Sequence, residues 1–291
     1  MKGLIIICLF LVSGIFSLRA QGELQSIVIT DTLYSEVLKA ERAYTIFLPK
    51  TFYKDETKRY PVLYLLHGMW ENNEVWTARG HIKDVMDRLV ASGEACEMII
   101  VTPNAGGGDP NIYQNGYFDM PGWNYETFFY TEFLPYIEKK YRVAGDKQHR
   151  AIAGLSMGGG GAASYGQRYA EMFCAVYAMS ALMSIPEQGA VRFEDNNGKL
   201  AILTRSVIAN SCVNYVKVAD EHCREKLRSV AWYVDCGDDD FLLDRNIEFY
   251  QAMRWAGIPC EFRVRDGGHD WEYWHSALYQ CLPFVSRMFR K

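Results

Sequence analysis

Ser156 stands at the centre of Gly154-Leu155-Ser156-Met157-Gly158, preceded by the apolar Ala151-Ile152-Ala153 and followed by small residues in a helical pattern. A hydroxyl placed in a sharp strand-to-helix turn, between glycines that leave room for crowded backbone, has the arrangement of a nucleophile elbow. Such a hydroxyl is a weak nucleophile at neutral pH. It requires a base within hydrogen-bond reach and a carboxylate to orient that base. After Ser156 the chain offers His222, His269 and His275. His269 lies in Arg265-Asp266-Gly267-Gly268-His269, a glycine turn after an apolar strand pattern, where an imidazole can reach over a sheet edge. His275 falls on the following helix and His222 in a polar segment, so His269 is the expected base. The carboxylate belongs between serine and histidine in the chain. The turn Gly237-Asp238-Asp239-Asp240-Phe241 supplies three, which spacing does not separate. Asp235 falls inside the preceding strand, and Asp244 is placed to cap the next helix. A tetrahedral oxyanion needs two backbone N–H donors. Met157 follows the nucleophile at a helix start, where the dipole also favours negative charge. Met69, after His67-Gly68, is the second expected donor, and His67 reads as a prop for that loop rather than as a base.

These residues need strands to deliver them to one edge. Ser26 to Leu38 and Glu41 to Leu48 alternate as two strands and read as an antiparallel opening pair. Val62-Leu63-Tyr64-Leu65-Leu66 is a continuous apolar run, as a strand buried on both faces requires. Similar runs occupy Glu97 to Thr102, Arg150 to Leu155, Phe173 to Met179, Val230 to Cys236 and Cys260 to Val264. Helical periodicity falls between them, at Ile82 to Val90, Thr127 to Tyr141 with a restart at Pro135, Met157 to Tyr169, Arg245 to Trp255 and Tyr273 to Phe289. The alternation predicts an α/β fold, a mostly parallel sheet with helices on both faces. In such sheets a site forms at the carboxyl ends of the strands, where His67, Ser156, the acidic turn and His269 all fall. The interval 180–229 breaks the alternation. It is polar, is helical around Val218 to Arg228, and reads either as a lid or pocket wall or as a decoration away from the site.

The whole chain sets limits on partners. Its 291 residues, 49% of them hydrophobic, suffice for one large domain over 21–291 with a substantial core. The net charge of -4 gives no electrostatic reason for a nucleic-acid partner. Lys2 followed by the apolar Leu4 to Leu18 and then Ala20 reads as an export signal over 1–20, with no stable membrane insertion after cleavage. Export permits disulfides, and of the seven cysteines beyond Cys8 the pair Cys212 and Cys223 is the first expected to bridge. No Cys-x-x-Cys, His-Glu-x-x-His or His/Cys cluster with ligand spacing is present, so neither a metal nor a cofactor is expected.

Four segments in order, PVLYLLHGMWENNEVW, AIAGLSMGGGGA, CGDDDFLLDRN and GGHDWEYWHSAL, resemble the esterase D or feruloyl esterase type of carbohydrate esterase family 1, a group that includes mycolyltransferases and S-formylglutathione hydrolases. The resemblance spans about Ala40 to the C-terminus and implies the α/β-hydrolase fold. It implies ester hydrolysis by an acyl-enzyme on Ser156, with His269 as base and Met69 as a donor of the oxyanion hole. In similar proteins the acid is the fourth residue of a G-x-x-D turn, which selects Asp240. The run of four glycines after Met157 and the interval 180–229 depart from the family pattern.

With export, the resemblance implies removal of feruloyl or acetyl groups from plant polysaccharide. Trp70, Trp76, Trp271 and the aromatic loop Asn104 to Tyr125 are the candidates for contact with a sugar or phenolic ring. An acyltransferase, a siderophore or small-ester hydrolase, and a non-catalytic carbohydrate-binding module are the rival readings; the complete Ser156, Asp240 and His269 set disfavours the last.

Overall fold

The computed structural model describes residues 25–106, 116–186 and 195–291. The segment read as an export signal lies outside them. The strands are β1 (Ile27–Ser35), β2 (Ala40–Leu48), β3 (Val62–Leu66), β4 (Ile99–Pro103), β5 (Asp119–Met120), β6 (Trp123–Asn124), β7 (Arg150–Leu155), β8 (Ala175–Met179), β9 (Ala231–Gly237) and β10 (Glu261–Arg265). The helices are α1 (Val75–Ala78), α2 (Ile82–Ala91), α3 (Tyr125–Phe128), α4 (Leu134–Lys140), α5 (Ser156–Arg168), α6 (Lys199–Ala209), α7 (Cys212–Val218), α8 (Glu221–Arg228), α9 (Leu243–Trp255) and α10 (Trp271–Phe289).

Eight strands form one sheet in the order β1-β2-β4-β3-β7-β8-β9-β10. β1 pairs antiparallel with β2, and β2 with β4, while the remaining neighbours are parallel. The apolar runs follow from cover on both faces. In β3, Leu63 and Leu65 belong to the same core as α2 and α10, while on the other side Tyr64 meets Glu138 of α4 and Leu66 lies against α5. All five residues of β3 are fully buried, and burying each such side chain contributes about 1.5–3 kcal/mol. β5 and β6, two residues each, form a separate small hairpin that periodicity does not reveal.

The helix expected over Thr127 to Tyr141 with a restart at Pro135 contains a π-helical turn, Phe129–Phe133, between α3 and α4. Pro135 has no N–H to return to the carbonyl four residues earlier, so the hydrogen-bond ladder changes register just before it. The described part of the interval 180–229 holds three helices, two more than the one expected around Val218 to Arg228. Cys212 in α7 receives a hydrogen bond on its carbonyl from Gln167 of α5, and Lys217 pairs with Glu248 of α9. The Cys212–Cys223 bridge is not formed. The Cys212 thiol is buried 3.5 Å from the Gly160 carbonyl, and the Cys223 thiol lies beside the Tyr215 hydroxyl, so packing sends the two side chains to different partners. Among the described residues no helix is long and apolar enough to cross a membrane.

Candidate active site

β7 is buried along its whole length and hands the chain directly to α5, with Ser156 at the junction. Ser156 has φ 52°, a left-handed conformation that costs a non-glycine residue about 1–3 kcal/mol and signals a turn held by its surroundings. The surroundings are tight. A Cβ on Gly154 would lie 2.4 Å from the Gly158 carbonyl oxygen, and one on Gly158 would lie 2.5 Å from that of His67. Both glycines of the elbow are therefore required by close approach of backbone, as the sequence pattern anticipated.

Ser156, His269 and Asp240 come together as one hydrogen-bonded series. His269 Nε2 lies 2.9 Å from Ser156 Oγ, and His269 Nδ1 lies 3.0 and 2.9 Å from the two Asp240 oxygens. A carboxylate only accepts, so the imidazole proton sits on Nδ1 and Nε2 is left to accept from the serine hydroxyl. Asp240 is buried; burial raises its pKa, but the hydrogen bonds from His269 and the Leu242 N–H outweigh this and hold it below the usual carboxylate range. Its two neighbours point elsewhere. Asp238 accepts from the Gly267 N–H, and the Asp239 N–H donates to the Gly267 carbonyl, which fastens the acidic turn to the His269 turn. Asp244 does not cap α9, because the helix starts one residue earlier and places it in the first turn. His275 lies on α10 against the Gly80 carbonyl and His222 in the first turn of α8, so neither belongs to the series. Asp238, Asp239 and Asp266 do bring carboxylate oxygens within 4.8 Å of one another on the exposed side of these turns, an all-oxygen set of the kind hard cations take.

The loop after β3 is braced from below. The Ala105 N–H donates to His67 Nε2 at 3.0 Å, so the ring proton is on Nδ1 and donates to the Gly68 carbonyl at 2.7 Å. Burial lowers the His67 pKa to about 4, which keeps it neutral and leaves it structural. Unfolded, it would take up a proton near its ordinary value of 6.5, so stability is full above that pH and falls as pH drops toward 4. The expected loss over that window is on the order of 3 kcal/mol, and urea melts of wild type and His67→Gln against pH should show it only in the wild type. Glu71, which gave no signal in the sequence, caps the same loop. Its Oε2 accepts from the Gly68 N–H at 2.9 Å, its Oε1 accepts from Trp271 Nε1 at 2.7 Å, and burial raises its pKa. Met69 lines the cavity that holds Ser156, and the Met157 N–H falls in the first turn of α5, among the donors that a helix start leaves without an intrahelical partner.

A cavity of about 470 Å³ opens over Ser156 and His269. Met69, Trp70, Glu71 and Arg79 line it together with Phe241, Trp271 and Trp274. Trp70 is 55% exposed there. Trp271 borders the cavity but is mostly buried, its ring nitrogen committed to Glu71. Trp76 is not a contact residue. It is fully buried beneath the loop, donating to the Leu66 carbonyl and packed edge-on to Trp271, because α1 turns that face into the core. The loop Asn104 to Tyr125 also fails as an aromatic surface where it is described: Tyr117, Phe118, Trp123 and Tyr125 are buried, and 107–115 lie outside the described residues. Phe241, beside the acidic turn, and the buried Trp274 of α10 are the cavity aromatics that the sequence analysis did not single out. The four glycines after Met157 meet Leu66, Ala181, Leu182 and Tyr117, which makes them packing positions rather than cavity lining. No residue of α6, α7 or α8 borders the cavity.

Residues 35–285 match the family described as "Putative esterase". A solved ferulic acid esterase is 77% identical, with a TM-score of 0.89 over 91% of this chain and 99% of its own. The acetyl esterase of Caldicellulosiruptor saccharolyticus is 24% identical over 268 residues, 88% of this chain and 96% of that protein. The endo-1,4-beta-xylanase/feruloyl esterase of Xylanibacter ruminicola is 32% identical over 253 residues, which is 85% of this chain but only 30% of that longer protein. A hydroxyl on a strained elbow, the family match along nearly the whole described fold and the likeness to solved esterases agree, and the chain belongs to this esterase family as a carboxylic-ester hydrolase of the α/β-hydrolase fold.

Proposed function

We propose that the enzyme removes feruloyl groups from plant polysaccharide through an acyl-enzyme on Ser156. The observation that carries the acyl group is the 77% identity to a ferulic acid esterase along almost its full length. The mechanism rests on the series Ser156–His269–Asp240 at the cavity floor. Ser156 Oγ attacks the ester carbonyl as its proton passes to His269 Nε2, and Asp240 stabilises the resulting imidazolium. The N–H groups of Met69 and Met157 hold the oxyanion. Collapse expels the alcohol, which takes the proton from Nε2, and water activated by the same nitrogen then releases the acid and restores Ser156. With 1–20 acting as an export signal, the enzyme meets its substrate outside the cytoplasm.

Removal of acetyl groups is the second reading, favoured by the acetyl esterase among its relatives. Hydrolysis of methyl ferulate, acetylated xylan and nitrophenyl acetate by wild type and Ser156→Ala separates them. Serine-dependent turnover of methyl ferulate supports the first reading, turnover of acetylated xylan alone supports the second, and transfer to an added sugar hydroxyl would reassign the enzyme as an acyltransferase. The role given to Asp240 has its own test. Asp240→Asn should lower kcat by about 10³- to 10⁴-fold and Asp239→Asn by less than about tenfold, since only the former leaves the imidazole in the wrong tautomer. Steady-state kinetics on methyl ferulate read both.

A further inference from the structure

Phe241 is 75% exposed, although the turn that carries it is otherwise fastened to the body of the protein. A single exposed ring is ordinary on a protein surface, so its meaning lies in what it stands beside. Its surroundings say which contact. The ring lies 4.5 Å, centroid to centroid, from the imidazole of His269 and lines the cavity over Ser156. Trp70, the other exposed ring of the cavity, comes from the loop after β3. In the sheet, β3 flanks β7 on one edge and β9 lies beyond β8 on the other, so Trp70 and Phe241 approach Ser156 from different directions.

The chemistry makes those two directions unequal. The alcohol leaving the tetrahedral intermediate must take its proton from His269 Nε2, so its oxygen lies within hydrogen-bond distance of that nitrogen. The carbon skeleton attached to that oxygen is then brought to the Phe241 side of the cavity. We infer that Phe241 is the platform for the sugar that bears the ester, offering a flat apolar face to the C–H face of the pyranose or furanose ring, and that it determines preference for sugar esters over simple alkyl esters. This rests on the reading of the enzyme as a feruloyl esterase of polysaccharide. The acyl group is common to both kinds of ester, so the platform acts on the alcohol alone.

The test compares kcat/KM for two substrates with the same acyl group, methyl ferulate and a feruloyl ester of a pentose disaccharide, in wild type, Phe241→Ala and Phe241→Tyr. The ratio of the sugar ester to the methyl ester should fall about five- to tenfold in Phe241→Ala, and stay within about twofold of wild type in Phe241→Tyr, which keeps the ring. A ring that merely shields or steadies His269 would lower both substrates together and leave the ratio unmoved, and that result overturns the inference alone. Failure of the wild type to cleave either ferulate ester overturns the feruloyl reading and this inference with it.

Discussion

Ser156→Ala should lower kcat for methyl ferulate by roughly 10⁵- to 10⁶-fold without loss of folded protein. In the proposed mechanism the hydroxyl is the only group of the series that forms a bond to the acyl carbon, so nothing left in the site replaces it. The side chain lines the cavity rather than the core, and among the described residues its hydrogen bond is to His269. Circular dichroism and a melting curve within a few degrees of wild type would separate loss of chemistry from loss of fold. A fall of less than about a hundredfold would mean that another group carries the reaction.

The second large effect is on stability and runs against helix propensity. Gly158→Ala, and more sharply Gly160→Ala, should destabilise the protein by roughly 3–5 kcal/mol. Propensity alone predicts the reverse, a gain of about 1 kcal/mol for each glycine replaced in a helix. Packing decides the sign. A Cβ at 158 would sit 2.5 Å from the His67 carbonyl oxygen, and one at 160 would sit 2.2 Å from that of Leu182. Both obstacles are backbone, so relief requires moving α5 away from the end of β3 or from the segment after β8. Either shift displaces the elbow as well. Denaturant melts of the two variants check it, and a variant as stable as wild type would show that α5 has room the structure does not show.

The same glycines illustrate what the sequence made legible. Ser156 in its elbow, His269 in a glycine turn and the strands that deliver them were readable because each is a local pattern: an apolar run, a turn residue, an abrupt change of period. Cover on both sheet faces turned β3, β4, β7 and β8 into unbroken apolar runs that alternation with helices then ordered. Asp240 was not separable from Asp238 and Asp239 by spacing, since which carboxylate meets an imidazole depends on how two turns dock, and the family resemblance supplied that choice. Trp76 and Trp70 looked equivalent in the sequence. Their fates differ because α1 folds one ring under the loop while the left-handed Trp70, φ 73°, projects the other into the cavity. Glu71 escaped notice for a similar reason: its partners, the Gly68 N–H and Trp271 Nε1, lie three and two hundred residues away, and only the second is a tertiary contact. The π-turn before Pro135 and the pair α6 and α7 were missed because neither carries a strong periodic signal of its own.

The measurement that bears most directly on Ser156 as the nucleophile is covalent labelling by an alkyl fluorophosphonate, followed by peptide mapping and residual activity on methyl ferulate. The predicted result is one adduct, on the peptide spanning Ala151 to Arg168 and located to Ser156, formed in step with loss of activity and slowed by methyl ferulate. Complete inactivation with the adduct on another residue, or full labelling of Ser156 with activity retained, would contradict the account.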